Sequence, residues 1–164
     1  MRNITARKLC VCAIVAALYA AITILTAPLS YGLVQFRLSE ALVVLCAFAP
    51  QLGIGITLGC FLANMMSTVT ALDMIVGTLA TALACRLTAR CKKAWQTVVP
   101  NVVTNAVLVG IMLGFVLMPD MLPMGFFLCG AQVAFGELIV MVFLGIPLYL
   151  FAKRTGFVQK LMGT

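Results

Sequence analysis

Apolar residues run through this chain in long blocks, with polar residues gathered at the joins. The blocks are Leu9 to Ala27, Gln51 to Ser67, Leu72 to Thr88, Thr97 to Leu117 and Pro123 to Ala152. About 20 apolar residues suffice to cross the hydrocarbon core of a bilayer as a helix, so each block predicts a span. One more block, Leu38 to Ala49, is shorter and reaches only ~18 Å as an α-helix. It must still cross if the charges at the joins are to balance. Pro50 ends it and suits the opening of the next helix. The predicted fold is an all-α integral membrane bundle of six transmembrane helices with a short second span, one domain over residues 1–164.

The charges set the expected orientation. Arg2, Arg7 and Lys8 precede the first span. Arg86, Arg90, Lys92 and Lys93 separate the fourth from the fifth, and Lys153, Arg154 and Lys160 follow the last. Six crossings put all three groups on one side, which the positive-inside rule makes cytoplasmic. Both termini are then inside, and ten of the eleven basic residues with them. Five crossings would send the C-terminal group outside. Trp95 suits an interfacial anchor. The chain's start resembles a signal peptide, but its apolar core of about 18 residues exceeds the usual ~7–15. Pro28 would also follow the cut. A retained first span is the expectation.

Composition narrows the class. Hydrophobic residues make up 64% of the chain, charged residues 9%, and mean hydropathy is +1.19. A soluble domain carries roughly 25% charged residues. The net charge of +7 follows from insertion beside anionic lipid, and nucleic acid need not be invoked. Histidine is absent, which removes the commonest general base and metal ligand. The seven cysteines include no C-x-x-C pair and read as small hydrophobes. No metal or cofactor is expected. No phosphate-binding loop, dinucleotide fingerprint or nucleophile elbow occurs, so the chain has no visible means of hydrolysing ATP, and active transport needs an ion gradient or a partner motor.

The acids oppose this pattern. Glu40, Asp73, Asp120 and Glu137 all map to the outer half or outer surface, with Arg37 as the one basic residue among them. Glu137 falls inside the last span, about 10 Å below its outer edge. A carboxylate there costs about 2.5–3.5 kcal/mol or more unless paired, wet or protonated. It therefore marks a ligand or ion path, or an internal pair with Arg37. Gly130, Val133 and Ala134 lie on nearly the same face and suggest a small-sided groove for a flat ring. Glu40 follows Ser39, a good N-cap, and the helix dipole explains an acid there equally well. Arg37 is placed to pair with Glu40 three residues on. Tyr31 and Gln35 occupy the same non-helical link, which could fold over a pocket mouth. Asn101 and Asn105 share a face of the fifth span, with Asn105 and Asn64 the better placed for a ligand and Asn101 nearer the inside. Amides in hydrocarbon also bond neighbouring helices. Gln132 is a further candidate, although it lies about 140° around the helix from Glu137.

Small residues repeat at helical spacing. Ala13, Ala17 and Ala21 form a ladder on the first span, and Gly55/Gly59 and Gly110/Gly114 do the same elsewhere. Such spacing lets helices approach closely. The glycines suit internal packing, and the alanine ladder suits an external partner.

The segments "YGLVQFRLSEALVVL", "GCFLAN", "LDMIVGTLATALA" and "GELIVMVFLGIPL" resemble the QueT queuosine-precursor transporters, among the substrate-binding (S) components of energy-coupling factor (ECF) importers. The similarity runs nearly the whole chain. It implies a bacterial plasma-membrane protein that binds its substrate from outside with high affinity. Docking would run through the alanine-rich first helix onto a transmembrane T subunit coupled to two ABC-type ATPases. The implied substrate is a 7-deazaguanine, its aminomethyl derivative, queuine or queuosine. A carboxylate accepts the ring N–H and exocyclic amine of such a face as a pair. Glu137 is the first choice, Glu40 the second, and the cationic aminomethyl group would suit the other acid. Tyr31 or a phenylalanine would stack on the ring, with Asn64, Asn105 and Gln132 on its carbonyl and nitrogens. Competing readings are a solitary ion-coupled carrier with Glu137 as its proton site, an S component for another vitamin, and a membrane enzyme or accessory subunit.

Overall fold

The computed structural model describes residues 5–30, 35–66 and 71–163. Every regular element among them is helical. In chain order they are α1 (Ala6–Leu25), α2 (Ala27–Ser30), a 3₁₀ helix (Leu38–Ala47), α3 (Leu52–Asn64), α4 (Ala71–Thr88), α5 (Ala94–Leu117), a 3₁₀ turn (Pro119–Met121), α6 (Met124–Val140), a π turn (Met141–Gly145), α7 (Ile146–Thr155) and α8 (Phe157–Met162). Three stretches are long and apolar enough to span a bilayer alone: Ala6–Leu25, Ala94–Leu117 and the continuous Met124–Thr155.

The short second apolar block is a 3₁₀ helix rather than an α-helix, which extends its reach. A 3₁₀ helix rises about 2.0 Å per residue against about 1.5 Å, so ten residues cover about 20 Å instead of about 15 Å. Ser39 to Cys46 are all buried. The segment is the axis of the bundle, with α1, α3, α4, α5, α6 and α7 packed around it. Val43, Val44 and Cys46 meet Tyr19 of α1, Ile56 and Cys60 of α3, Ala84 of α4, and Met141 and Tyr149 beyond α6. A second core of Ala80, Val109, Leu113, Cys129 and Val133 joins α4, α5 and α6. With lipid outside, such cores gain little from leaving water and depend on close packing.

The glycine pairs make that packing possible inside the bundle. A Cβ on Gly55 would collide with the Cys12 carbonyl oxygen, and one on Gly59 with that of Ala16. A Cβ on Gly110 would collide with the Gly130 Cα. So α1 meets α3, and α5 meets α6, backbone to backbone. The alanine ladder is on another side of α1: Ala13, Ala17 and Ala21 are exposed, whereas Ala16, Tyr19 and Thr23 are buried.

Two prolines inside apolar helices are accommodated differently. Pro147 has no N–H and its ring would strike the Phe143 carbonyl in a regular helix. The backbone widens there into the π turn, and the Ile146 N–H donates to the Met141 carbonyl. Pro100 cannot donate to the Gln96 carbonyl, which accepts the Cys91 thiol instead at 3.2 Å.

Polarity runs inside out. Leu25, Phe127 and Phe143 are 83%, 74% and 71% exposed, whereas Arg37, Glu40 and Glu137 are 1%, 0% and 1% exposed. Water would not permit that surface; lipid requires it. The chain is a multi-pass membrane protein. Its basic groups gather at one end. Arg7 donates to the Leu161 and Lys160 carbonyls at 3.0 and 2.7 Å, and the Tyr149 hydroxyl donates to the Lys92 carbonyl at 2.8 Å.

Candidate functional site

The buried charges meet where the 3₁₀ helix begins. Arg37 has φ −80° and ψ 86°, outside the helical region, so its side chain does not share a helical face with Glu40. The expected Arg37–Glu40 pair is therefore not formed. The Arg37 Nη2 instead donates to Asp73 Oδ1 and Oδ2 at 2.9 and 3.0 Å. Ser39 does not cap the helix either; its hydroxyl is bonded to that of Thr23 at 2.6 Å.

Glu40 lies one turn on. Its Oε1 accepts the Tyr19 hydroxyl at 2.5 Å and the Thr81 hydroxyl at 2.7 Å. Because Thr81 gives its proton to Glu40, its 3.3 Å contact with Cys60 has the thiol as donor. Asn64 Nδ2 then donates to Cys60 Sγ at 3.4 Å and to the Asp73 carbonyl at 3.2 Å. Gly77 leaves this corner open. A Cβ there would stand 2.7 Å from Asn64 Nδ2 and 3.1 Å from Arg37 Nη1.

The second acid faces the first across the bundle. Glu137 on α6 accepts Asn101 Nδ2 of α5 at 2.8 Å and lies within electrostatic reach of Glu40 and Arg37. Asn105 Nδ2 donates to the Asn101 carbonyl at 3.1 Å. Asn101 is thus the amide that holds Glu137, contrary to the expectation that it sits too far inside. The helix carrying Glu137 continues to Thr155 through the π turn. The expected pair of Glu137 with Arg37 is not among the ion pairs of the described residues, where Arg37 is bridged to Asp73.

Six of the eight buried side-chain polar atoms without a hydrogen-bond partner among the described residues fall in this cluster. The donors are Gln35 Nε2, Arg37 Nε and Arg37 Nη1; the acceptors are Glu40 Oε2, Asn101 Oδ1 and Asn105 Oδ1. A buried polar atom left unmatched costs about 1–3 kcal/mol. Several together, of both kinds, are what a site built for a polar ligand leaves open. No group of three or more metal-ligating side chains occurs among the described residues.

Of the expected site residues, Glu137, Glu40, Arg37, Gln35, Asn64 and Asn105 come together here. Tyr31 lies outside the described residues. Gln132 is half-buried on α6 and makes none of these contacts. The expected groove beside Glu137 faces elsewhere: Val133 is core, and Gly130 and Ala134 line an outward groove of about 540 Å³ with Ala106, Ile111 and Phe127. Tyr19, Asp73 and Thr81 join the site without having been expected there. Asp73, Gly77 and Thr81 recur every four residues on one face of α4, a polar stripe the sequence displays.

A family model described as QueT transporter matches residues 9–154, almost the whole bundle and every residue of the cluster. The chain belongs to the QueT transporter family. Over 71 residues, 42% of this chain, it is 44% identical to the queuosine precursor transporter QueT of Lactococcus lactis subsp. cremoris (strain MG1363). The matched stretch spans 41% of that relative's length. No solved structure matches the chain significantly.

Proposed function

We propose that this QueT-family protein is the substrate-binding component of an ECF-type importer for a queuosine precursor or salvage base. The observation that carries the site is the set of six open polar atoms around two buried carboxylates. A 7-deazaguanine presents a carbonyl beside a ring N–H and an exocyclic amine. The open donors of Arg37 and Gln35 suit the carbonyl. Glu137, with Asn101 and Asn105 beside it, suits the N–H edge. ATP hydrolysis would come from two ATPase subunits through a T subunit seated on the Ala13/Ala17/Ala21 face of α1. Six crossings with both ends cytoplasmic fit the gathering of basic residues at one end of the bundle.

The test is a thermal-shift screen of detergent-purified protein against 7-deazaguanine bases, queuine, queuosine, riboflavin, thiamine and biotin. Ligand binding to the folded state stabilises it by mass action, about 4 kcal/mol at a thousandfold excess over Kd. A rise in Tm with deazapurines alone is expected. A rise with another vitamin instead would overturn the substrate, and no rise with any of them would overturn the reading.

The docking face makes a separate prediction. Ala17→Leu puts a branched side chain on the exposed ladder, away from the α1–α3 contact. Ligand binding should stay within about 2-fold of wild type while uptake by cells falls at least ~10-fold. Co-purification with the T subunit should be lost in parallel. Wild-type uptake by this variant would move the docking face elsewhere.

A further inference from the structure

Grooves on the outside of the bundle differ in one respect. Those between α5 and α6 and between α4 and α5 are lined by apolar residues alone. A larger one, of about 680 Å³, runs between α3 and α4 and carries a charge. Half-buried Gly53 and Ala82 floor it, and the exposed side chains of Ile54, Leu58, Leu79 and Leu83 wall it. A Cβ on Gly53 would stand 3.2 Å from that of Cys85 on α4, so the two helices close the trough from beneath. Arg86 lines its end.

Length and charge both match one kind of occupant. From Leu79 to Ala89 the chain rises about 15 Å as a helix, half of the ~30 Å hydrocarbon core. The groove thus has the length of one leaflet and ends at the basic end of the bundle, at headgroup depth. Arg86 is exposed in the last turn of α4, with Arg90 one turn on and Lys92 and Lys93 beyond. The helix dipole favours a cation in that turn but supplies no counter-ion. Arg86 makes no ion pair among the described residues, where the bridge is Arg37–Asp73. The acids are elsewhere: Glu40, Asp73 and Glu137 are buried in the polar cluster, and Asp120 follows the far end of α5. An apolar trough ending at an unpaired guanidinium is complementary to an amphiphile with an acyl chain and an anionic head.

We infer that the α3–α4 groove binds one anionic phospholipid from the leaflet at the basic end of the bundle. Its acyl chain lies between the α3 and α4 walls, and its phosphate meets Arg86. A head with net negative charge is preferred to a zwitterionic one, because a choline cation would face Arg86 and Arg90. The site is separate from the polar cluster and does not depend on the identity of the transported substrate.

Native mass spectrometry of the full chain in detergent tests this, with phosphatidylglycerol and phosphatidylcholine of matched acyl chains. One phosphatidylglycerol per chain should be retained, with a Kd at least ~5-fold below that of phosphatidylcholine, equivalent to about 1 kcal/mol for one basic residue at an anionic head. Arg86→Gln should keep the wild-type Tm and bring the two lipids within about 2-fold. Lys153→Gln, at the same end but outside the groove, should leave the preference intact. Ala82→Leu fills the floor beside an intact Arg86 and should weaken both lipids together. Inorganic phosphate at millimolar concentration should not displace the lipid. Equal retention of the two lipids by the wild type, or an undiminished preference in Arg86→Gln, would overturn the inference. Displacement by inorganic phosphate would also overturn it, by making Arg86 a site for the phosphate alone. So would a lipid-free pair of chains that Ala82→Leu dissociates, which would make the groove a contact between copies. The wild-type comparison and the phosphate competition decide even where a variant does not fold.

Discussion

Arg37→Met is expected to destabilise the bundle by about 3–5 kcal/mol, the cost of removing one partner from a buried ion pair. The pair joins the start of the 3₁₀ helix to α4 through Nη2, with Asp73 Oδ1 at 2.9 Å. The variant leaves the Asp73 carboxylate in the bundle interior without that guanidinium. Methionine has similar length and no charge, so the change is mainly electrostatic. Replacing both partners, Arg37→Met with Asp73→Leu, should recover most of the lost stability, because an apolar pair of similar volume is often neutral or better. Ligand binding should not recover with it. Arg37 Nε and Nη1 are the open donors, and neither returns in the double variant. Thermal unfolding in detergent reads the first effect, and calorimetric titration reads the second. A single variant that melts with the wild type would deny the pair a structural role. A double variant that binds normally would take Arg37 out of the ligand site.

The membrane class and the central acids were legible because each depends on composition or on one residue type in an improbable place. A glutamate in the middle of "FGELIVMVFLG" is improbable in lipid wherever the helix turns. Partners were much less legible. Arg37 and Glu40 are three apart, and helical spacing joins them only where the backbone is helical. At ψ 86° it is not, and the guanidinium reaches 36 residues along the chain to Asp73. The Asn101–Glu137 bond spans the same separation and depends on the register of α5 against α6, which spacing within either helix does not display. The short second apolar block was legible as short but not as 3₁₀, since its hydrogen-bond spacing leaves no mark in a run that is buried on all sides. The glycine pairs illustrate the opposite case. A missing Cβ every four residues already announces close approach, and the structure supplies only the partner: α3 to α1, and α5 to α6.

Glu137→Gln should weaken ligand binding by about 10²-fold, equivalent to ~3 kcal/mol. Glutamine keeps the volume and keeps a carbonyl oxygen for Asn101 Nδ2, now 2.8 Å from Glu137 Oε2. It replaces the other oxygen by an amide nitrogen, a donor set against the donors of the ligand. The ligand then loses a charge-assisted acceptor and meets a like donor in its place. The fold should tolerate this. Glu137 takes part in no ion pair among the described residues, and a neutral amide is easier to bury than a carboxylate. The unliganded Tm should therefore match or exceed that of the wild type while affinity falls, a combination that general unfolding cannot produce. Glu137→Asp gives the complementary reading. It keeps the charge but withdraws it by one methylene from both Asn101 and the ligand, so its affinity should fall between those of wild type and Glu137→Gln. A properly folded Glu137→Gln variant with wild-type affinity would remove Glu137 from the site and leave Glu40 as its acid.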